Sequence, residues 1–197
     1  MGKKDFYKKN RVLIIVSCIF ILSVVIGACL NKFEGYNTEN ISIQIDELKN
    51  YYSSDIDIKN FIFMNIKEYT RYLASIGILA LLFFTFPLSV FVFIQKGVSI
   101  GYAVNTCVLL LGFGSIKMCL IIFIKNIVII PISIILIILS IEYIKNIFKQ
   151  LKNKRQESIL FLGKRFLFNL IIIMFGSIIL QSLLNIILIS IIQFLAR

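Results

Sequence analysis

The chain of 197 residues has no histidine and no tryptophan, and it has only two prolines and ten acidic residues. Without histidine, His-based catalysis and His-ligated zinc or haem are excluded, and no C-x-x-C spacing suggests a thiolate metal site. The four cysteines, Cys18, Cys29, Cys107 and Cys119, lie in apolar runs and are interpreted as apolar filler. The sequence therefore predicts no metal and no cofactor.

Charged residues are scarce as well. They make up 16% of the chain, against roughly a quarter in ordinary soluble domains. Hydrophobic residues make up 59%, and the mean hydropathy is +0.94. Several apolar runs reach the roughly 18 residues that mark membrane-spanning helices. The sequence therefore predicts an all-α, polytopic integral membrane protein with a single membrane domain.

Five apolar runs are predicted to be transmembrane helices, over about residues 12–30, 72–94, 98–113, 116–141 and 166–195. Pro87 is predicted to kink the second span, and the segment QKG at 95–97 is predicted to turn the chain into the third. The third run is only about 24 Å long at 1.5 Å per residue, against a hydrocarbon core of roughly 30 Å. Spans three and four could therefore form a short or re-entrant hairpin, as an alternative to two full crossings.

The first run has two interpretations. It could be a cleaved signal peptide, and its IGAC at 26–29 loosely resembles a lipoprotein cleavage box. A retained anchor is favoured, because the run is long and the rest of the chain needs no lipid. In that case Gly27 and Ala28 would allow close helix packing.

The distribution of charge predicts an orientation. Residues 31–71 form the one extended polar region, predicted to hold short amphipathic helices, and seven acidic residues there outnumber five basic ones. Lysine and arginine cluster instead at the N-terminus and between spans four and five. By the positive-inside rule the N-terminus is cytoplasmic, whereas residues 31–71 and the C-terminus are extracytoplasmic. The net charge of +11 is read as this topology signal, and no nucleic-acid partner is expected.

Lys125 lies near the middle of the predicted fourth span, in the segment FIKNIVIIP. A charged lysine there costs roughly 2.5–3.5 kcal/mol. No acidic residue falls in a predicted span, so no partner carboxylate is expected within the chain. The lysine could reach carbonyls freed by a helix break near Pro131, line a wet cavity, pair with a partner protein, or snorkel from a tilted span. Its neighbour Asn126 can hydrogen-bond across helices.

Two rows of small and polar residues recur every four positions. The first row, in the third span, is Gly97, Gly101 and Asn105, and the second, in the fifth span, is Ser177, Gln181 and Asn185. Small residues let membrane helices approach closely, and amides hydrogen-bond between them. The first row is assigned to helix contact and the second to a partner-facing stripe. For each row, packing within the monomer is favoured over contact with another protein.

The most specific motif is Pro87 followed by QKGVSIGY at 95–102. With the basic start, a first span that ends near IGACLNK and an outer loop, the chain resembles the stage II sporulation protein M family of spore-forming Firmicutes over nearly its whole length. That family shows a proline, a Lys-Gly turn and a second glycine here, and Lys96, Gly97 and Gly101 match it.

A second motif matches only in part. The segment FIKNIVIIP falls where the family resembles Pro-Gln-Asn followed by apolar residues and a proline. Asn126 and Pro131 match this pattern, whereas Ile124 and Lys125 replace the proline and the glutamine. This departure bears on function, because the broad family includes relatives outside sporulation.

The resemblance implies a protein of the bacterial cell membrane that is not an enzyme. It implies a scaffold, surrounded by membrane lipid, that works with a lytic transglycosylase and an amidase while septal peptidoglycan is thinned during engulfment. One rival is a small transport or peptide-export and immunity component with Lys125 on an aqueous pathway. Another is an intramembrane enzyme that pairs Ser115 or Ser133 with Lys125.

Overall fold

The computed structural model describes residues 3–33, 58–111, 115–153 and 159–196, and this part of the chain is almost entirely helical. Its α-helices are α1 (Lys3–Phe33), α2 (Ile58–Leu81), α3 (Phe86–Leu111), α4 (Ser115–Asn126), α5 (Ile129–Asn153) and α6 (Ile159–Ala196). Within these described ranges, four segments are long and apolar enough to cross a membrane: Arg11–Leu30, Phe83–Leu109, Cys119–Lys152 and Leu160–Ile187. The prediction of an all-α, multi-pass membrane protein is confirmed.

Apolar side chains lie both inside the bundle and on its outer surface. Inside, Leu73 and Ile76 of α2 pack with Phe93 of α3 and Leu136 of α5, each at most 1% exposed. Outside, many large apolar residues are more than half exposed, among them Leu22 of α1. A helix that is apolar all round suits an apolar solvent, so this outer surface fits contact with lipid.

Helices α1 and α3 pack in parallel through glycines. A Cβ on Gly97 would lie 3.3 Å from the backbone oxygen of Phe20, and a Cβ on Gly101 would overlap the backbone oxygen of Val24. Both members of the second pair lie four residues further along, so the two helices run in the same direction. From the other side, a Cβ on Gly27 would overlap the backbone of α3. The helix contact predicted for Gly97 and Gly101 is therefore made within the chain.

The turn between α2 and α3 lies well before the predicted one. Thr85 closes it, because its backbone N–H donates to the Leu82 oxygen at 2.8 Å and its hydroxyl donates to the Leu79 oxygen at 2.5 Å. Pro87 lies in the first turn of α3, where a helix tolerates a missing N–H, so it kinks no span. Residues 95–97 continue α3, which is 26 residues long. The predicted bounds 72–94 and 98–113, and the turn between them, are wrong.

Residues 58–71, predicted to lie on the extracytoplasmic surface, are the first half of α2. Two of their side chains are inside the bundle, with Asn65 6% and Tyr69 3% exposed. The rest of that polar region, residues 34–57, lies outside the described residues. The sequence predicts a position outside the bundle for this half of α2 because it carries Lys59, Lys67, Glu68 and Arg71.

The predicted fourth span, 116–141, is divided into two helices. Helix α4 ends at Asn126, and α5 begins at Ile129 after a two-residue turn. Pro131 explains the break, because it has no N–H to donate to the carbonyl of Ile127 and its ring would clash there. The proline itself occupies the first turn of α5. The predicted third and fourth spans thus become one long helix, α3, and a broken pair, α4 and α5.

Helix α6 begins before the predicted residue 166 and is 38 residues long. At about 1.5 Å per residue this is about 57 Å, well beyond a hydrocarbon core of roughly 30 Å. The start of α6 packs against the end of α5, where the rings of Tyr143 and Phe166 stack with centroids 4.6 Å apart. Ile147 and Leu162 belong to the same buried cluster. The two helix ends therefore form an antiparallel hairpin.

Candidate functional site

Glu68 of α2 lies between two lysines from different helices. Its Oε1 is 3.3 Å from Nζ of Lys96 on α3, and its Oε2 is 3.5 Å from Nζ of Lys125 on α4. The expectation that Lys125 has no acidic partner within the chain is therefore wrong. It failed because Glu68 had been placed in the outer polar region, whereas α2 carries it into the bundle.

This charged cluster is level with the middle of an apolar span. Lys96 directly precedes Gly97, which contacts the backbone of Phe20, and Phe20 lies at the centre of the apolar segment Arg11–Leu30. The rings of Phe20 and Phe93 are also in contact, with centroids 5.2 Å apart. Three charged side chains thus meet beside the middle of an apolar helical segment, where a membrane-spanning helix usually has none.

The three charged side chains differ in how far they are enclosed. Lys96 is 19% exposed, against 41% for Lys125 and 58% for Glu68. The ammonium of Lys96 also lies 5.6 Å from the centroid of the Tyr72 ring, within the range of a cation–π interaction. Lys96 is therefore held inside the bundle, whereas Glu68 and Lys125 face its outer surface.

The polar row of α6 lies next to this cluster, with Gln181 in contact with Lys125. Ser177, Gln181 and Asn185 are 2%, 2% and 1% exposed. Gln181 donates from Nε2 to the backbone oxygen of Lys125 and to Oδ1 of Asn185, both at 3.4 Å. The row is not a partner-facing stripe, because it lies inside the bundle and packs within the chain. A polar side chain in lipid must find a hydrogen-bond partner, and the broken helix provides one.

The break between α4 and α5 supplies the acceptor that Gln181 uses. A helix that stops leaves its last carbonyls without intrahelical partners, and the backbone oxygen of Lys125 is one of them. Asn126 is 8% exposed and donates from Nδ2 to the Ile122 oxygen at 2.7 Å. The ammonium of Lys125 also lies in the last turn of α4, where a positive charge stabilises the negative end of the helix dipole.

Several buried polar atoms around the cluster have no hydrogen-bond partner among the described residues: Asn65 Nδ2, Tyr69 Oη, Gln181 Oε1 and Asn185 Nδ2. The hydroxyl of Tyr69 lies beside Ser177 but outside hydrogen-bonding geometry. A pocket of about 10 Å³ is lined by Asn65, Tyr69 and Gln181 together with the three charged residues. This is about the room that one water needs. The arrangement can hold a small polar group.

The described residues bear on both a metal-binding group and the serine–lysine pair of the enzyme alternative. They contain no group of three or more residues able to hold a metal ion. Ser133 donates its hydroxyl hydrogen to the Ile130 oxygen at 2.8 Å, and the ammonium of Lys125 is directed to Glu68. The Ser133–Lys125 pair that an intramembrane hydrolase would need is therefore not assembled in this conformation.

The structure divides the predicted site residues into separate groups. Lys96, Lys125, Asn126 and, from the α6 row, Gln181 meet around Glu68, whereas Gly97 and Gly101 form the α1 contact. Asn105 is half-buried further along α3, and the two prolines lie in first turns. Sequence reasoning missed Asn65, Glu68 and Tyr69. The sequence signal for them is that Asn65 is followed by Glu68 and Tyr69, three and four positions later, within an otherwise apolar helical pattern.

Comparison with known proteins identifies no relative: no family model, no curated protein and no solved structure matches this chain.

Proposed function

We propose that this chain is a non-catalytic membrane scaffold whose charged cluster faces a partner protein. The proposal follows the resemblance to the stage II sporulation protein M family, which implies a lytic transglycosylase and an amidase as partners in peptidoglycan remodelling. The observation that carries it is the exposure of Glu68 and Lys125, 58% and 41%, level with the middle of the apolar segment of α1.

Contact with lipid is energetically unfavourable for such charged side chains. A charged side chain near the centre of a bilayer costs about 2.5–3.5 kcal/mol, and a half-exposed ion pair offsets only part of that. Lys125 is directed to Glu68 and so does not extend toward the bilayer surface. A polar surface from another protein would relieve the cost. Because two lysines share one carboxylate, a partner helix that carries a carboxylate or an amide fits best.

The proposal includes an orientation and a location. The basic hairpin at the ends of α5 and α6 would lie in the cytoplasm with the N-terminus, and the C-terminus would lie outside the cell. The scaffold would then present its charged cluster within the bacterial cell membrane to partners whose catalytic domains reach the wall.

Site-specific photo-crosslinking in a spore-forming host tests the proposal. A crosslinking residue at Met64, one turn from Glu68 on the same face of α2, should capture a peptidoglycan-degrading membrane protein. Ile21 of α1 is the matched control, because it is equally exposed (61% against 64% for Met64) but lies on another helix. Equal capture of that partner from both positions, or capture of lipid alone from both, would contradict the proposal.

A transport component is the second candidate, and the break between α4 and α5 favours it. Unwound backbone beside charged residues is how transporters build substrate sites at the membrane midplane. Flux of an anion or peptide into liposomes that contain only the purified protein, abolished by Lys125→Gln, would establish this function in place of the scaffold. Absence of flux together with partner capture at Met64 would support the scaffold function over transport.

A further inference from the structure

A second pocket lies between α5 and α6, at the hairpin end of the bundle and far from the charged cluster. It has a volume of about 150 Å³, at least ten times the room that one water needs. Its polar residues are Glu142, Asn146, Arg165 and Asn169, and Tyr143 and Phe166 form part of its apolar wall. Neither the scaffold nor the transport proposal uses these residues.

Packing fixes the apolar wall of this pocket. Tyr143 and Phe166 are 8% and 3% exposed, and their rings stack. The hydroxyl of Tyr143 donates to the backbone oxygen of Leu81, at the end of α2, at 3.4 Å. Three helices therefore hold the apolar wall in place before any ligand arrives.

The pocket lies at the depth of lipid headgroups. Arg165 is sixteen residues before Gln181 on α6, which is about 24 Å along the helix axis, and Asn169 is about 18 Å away by the same measure. Gln181 contacts the backbone of Lys125, level with the middle of the apolar segment. Half of a bilayer with its headgroups is about 20–22 Å, so Asn169 falls within the headgroup layer and Arg165 lies at its outer edge.

The charge around the pocket favours an anion. The described helix ends beside the pocket, 142–153 and 159–169, contain five lysines and arginines and one glutamate, a net charge of +4. Arg165 is the basic residue that lines the pocket, and a guanidinium binds phosphate with two parallel N–H groups. The amides of Asn146 and Asn169 can donate as well. On the same face of α6, Phe168 and Ile172 are 66% and 54% exposed and offer apolar surface for acyl chains.

We propose that this pocket binds the headgroup phosphate of an anionic glycerophospholipid, with Arg165 as the anchor. Glu142 adds a preference among such lipids. Its carboxylate repels a second negative charge, so phosphatidylglycerol should bind better than phosphatidic acid. This protein would then carry a bound lipid at one edge of its membrane domain.

Native mass spectrometry of the full chain in mild detergent, titrated with lipid, tests the proposal. Phosphatidylglycerol should bind more tightly than phosphatidylcholine, and Arg165→Gln should weaken it about tenfold, the equivalent of about 1.4 kcal/mol for a charge-assisted contact. Lys164→Gln is the matched control, because it removes the same charge from the neighbouring residue, which does not line the pocket. It should change the affinity less than about twofold, since Lys164 acts on the lipid only through a long-range charge that salt screens.

The remaining outcomes decide against the proposal. Equal weakening by Arg165→Gln and Lys164→Gln would mean diffuse attraction to the basic hairpin and no pocket. Displacement of the lipid by millimolar inorganic phosphate would assign the site to a soluble anion. Glu142→Gln should raise binding of phosphatidic acid relative to phosphatidylglycerol, and an unchanged ratio would overturn the role of Glu142. Circular dichroism of each variant shows whether the fold is retained.

Discussion

Replacement of Gly101 by alanine tests whether the packing of α1 against α3 holds this bundle together. The added Cβ would overlap the backbone oxygen of Val24 and lie 2.8 Å from its carbonyl carbon, whereas ordinary contact begins at 3.4 Å. The obstacle is backbone, which has no alternative rotamer, so α1 must move away along its length. Membrane helices associate largely through such close van der Waals contact.

Gly101→Ala should therefore lower the free energy of unfolding by about 1–3 kcal/mol, as overpacking does, even after the helix-propensity gain of alanine over glycine. Gly176→Ala is the matched control, because no atom lies within 4 Å of its added Cβ, and it should be neutral or stabilise by up to about 1 kcal/mol. Unfolding in mixed micelles of mild detergent and dodecyl sulfate, followed by circular dichroism, measures both. Equal stabilities would refute the glycine contact.

The same titration checks three further variants. Pro87→Ala should stay within about 0.5 kcal/mol of the wild type because the proline is in a first turn; a gain near 3 kcal/mol would place it inside a helix. Leu136→Ala should cost about 2–4 kcal/mol, since Leu136 is 0% exposed and its loss leaves a cavity; an unchanged stability would contradict that burial. Glu68→Gln should cost about 1–3 kcal/mol, and adding Lys125→Gln should restore part of it; simple additivity would mean that the two do not interact.

Turns were harder to predict than helices, and the segment QKG shows why. A lysine followed by glycine between two apolar runs is what a tight turn requires. The same glycine is also what a close helix crossing requires, because both uses depend on the missing Cβ. Only the position of α1 against Gly97 decides between them. The true turn, at Thr85, is held by a side-chain hydrogen bond that composition does not reveal.

The candidate site was predicted in part. Lys125, Asn126 and Gln181 stood out as polar residues in apolar runs, and the structure brings them together. Glu68 did not stand out, because the charges near it made its half of α2 resemble a surface segment. Whether a charge is acceptable in a membrane helix depends on the opposite charge that another helix supplies, and a single segment does not contain that information.

The amino-acid sequence by itself determined that this protein lies in a membrane and that its secondary structure is helical. Apolar runs long enough to span a bilayer must satisfy their backbone internally, and helices do this with local hydrogen bonds that each segment specifies alone. The pairing of Glu68 with Lys96 and Lys125, the inward direction of the α6 amides and the contact of Gly101 with α1 were decided only by the tertiary structure. Each depends on which helices become neighbours and at what register, and those are properties of the whole bundle.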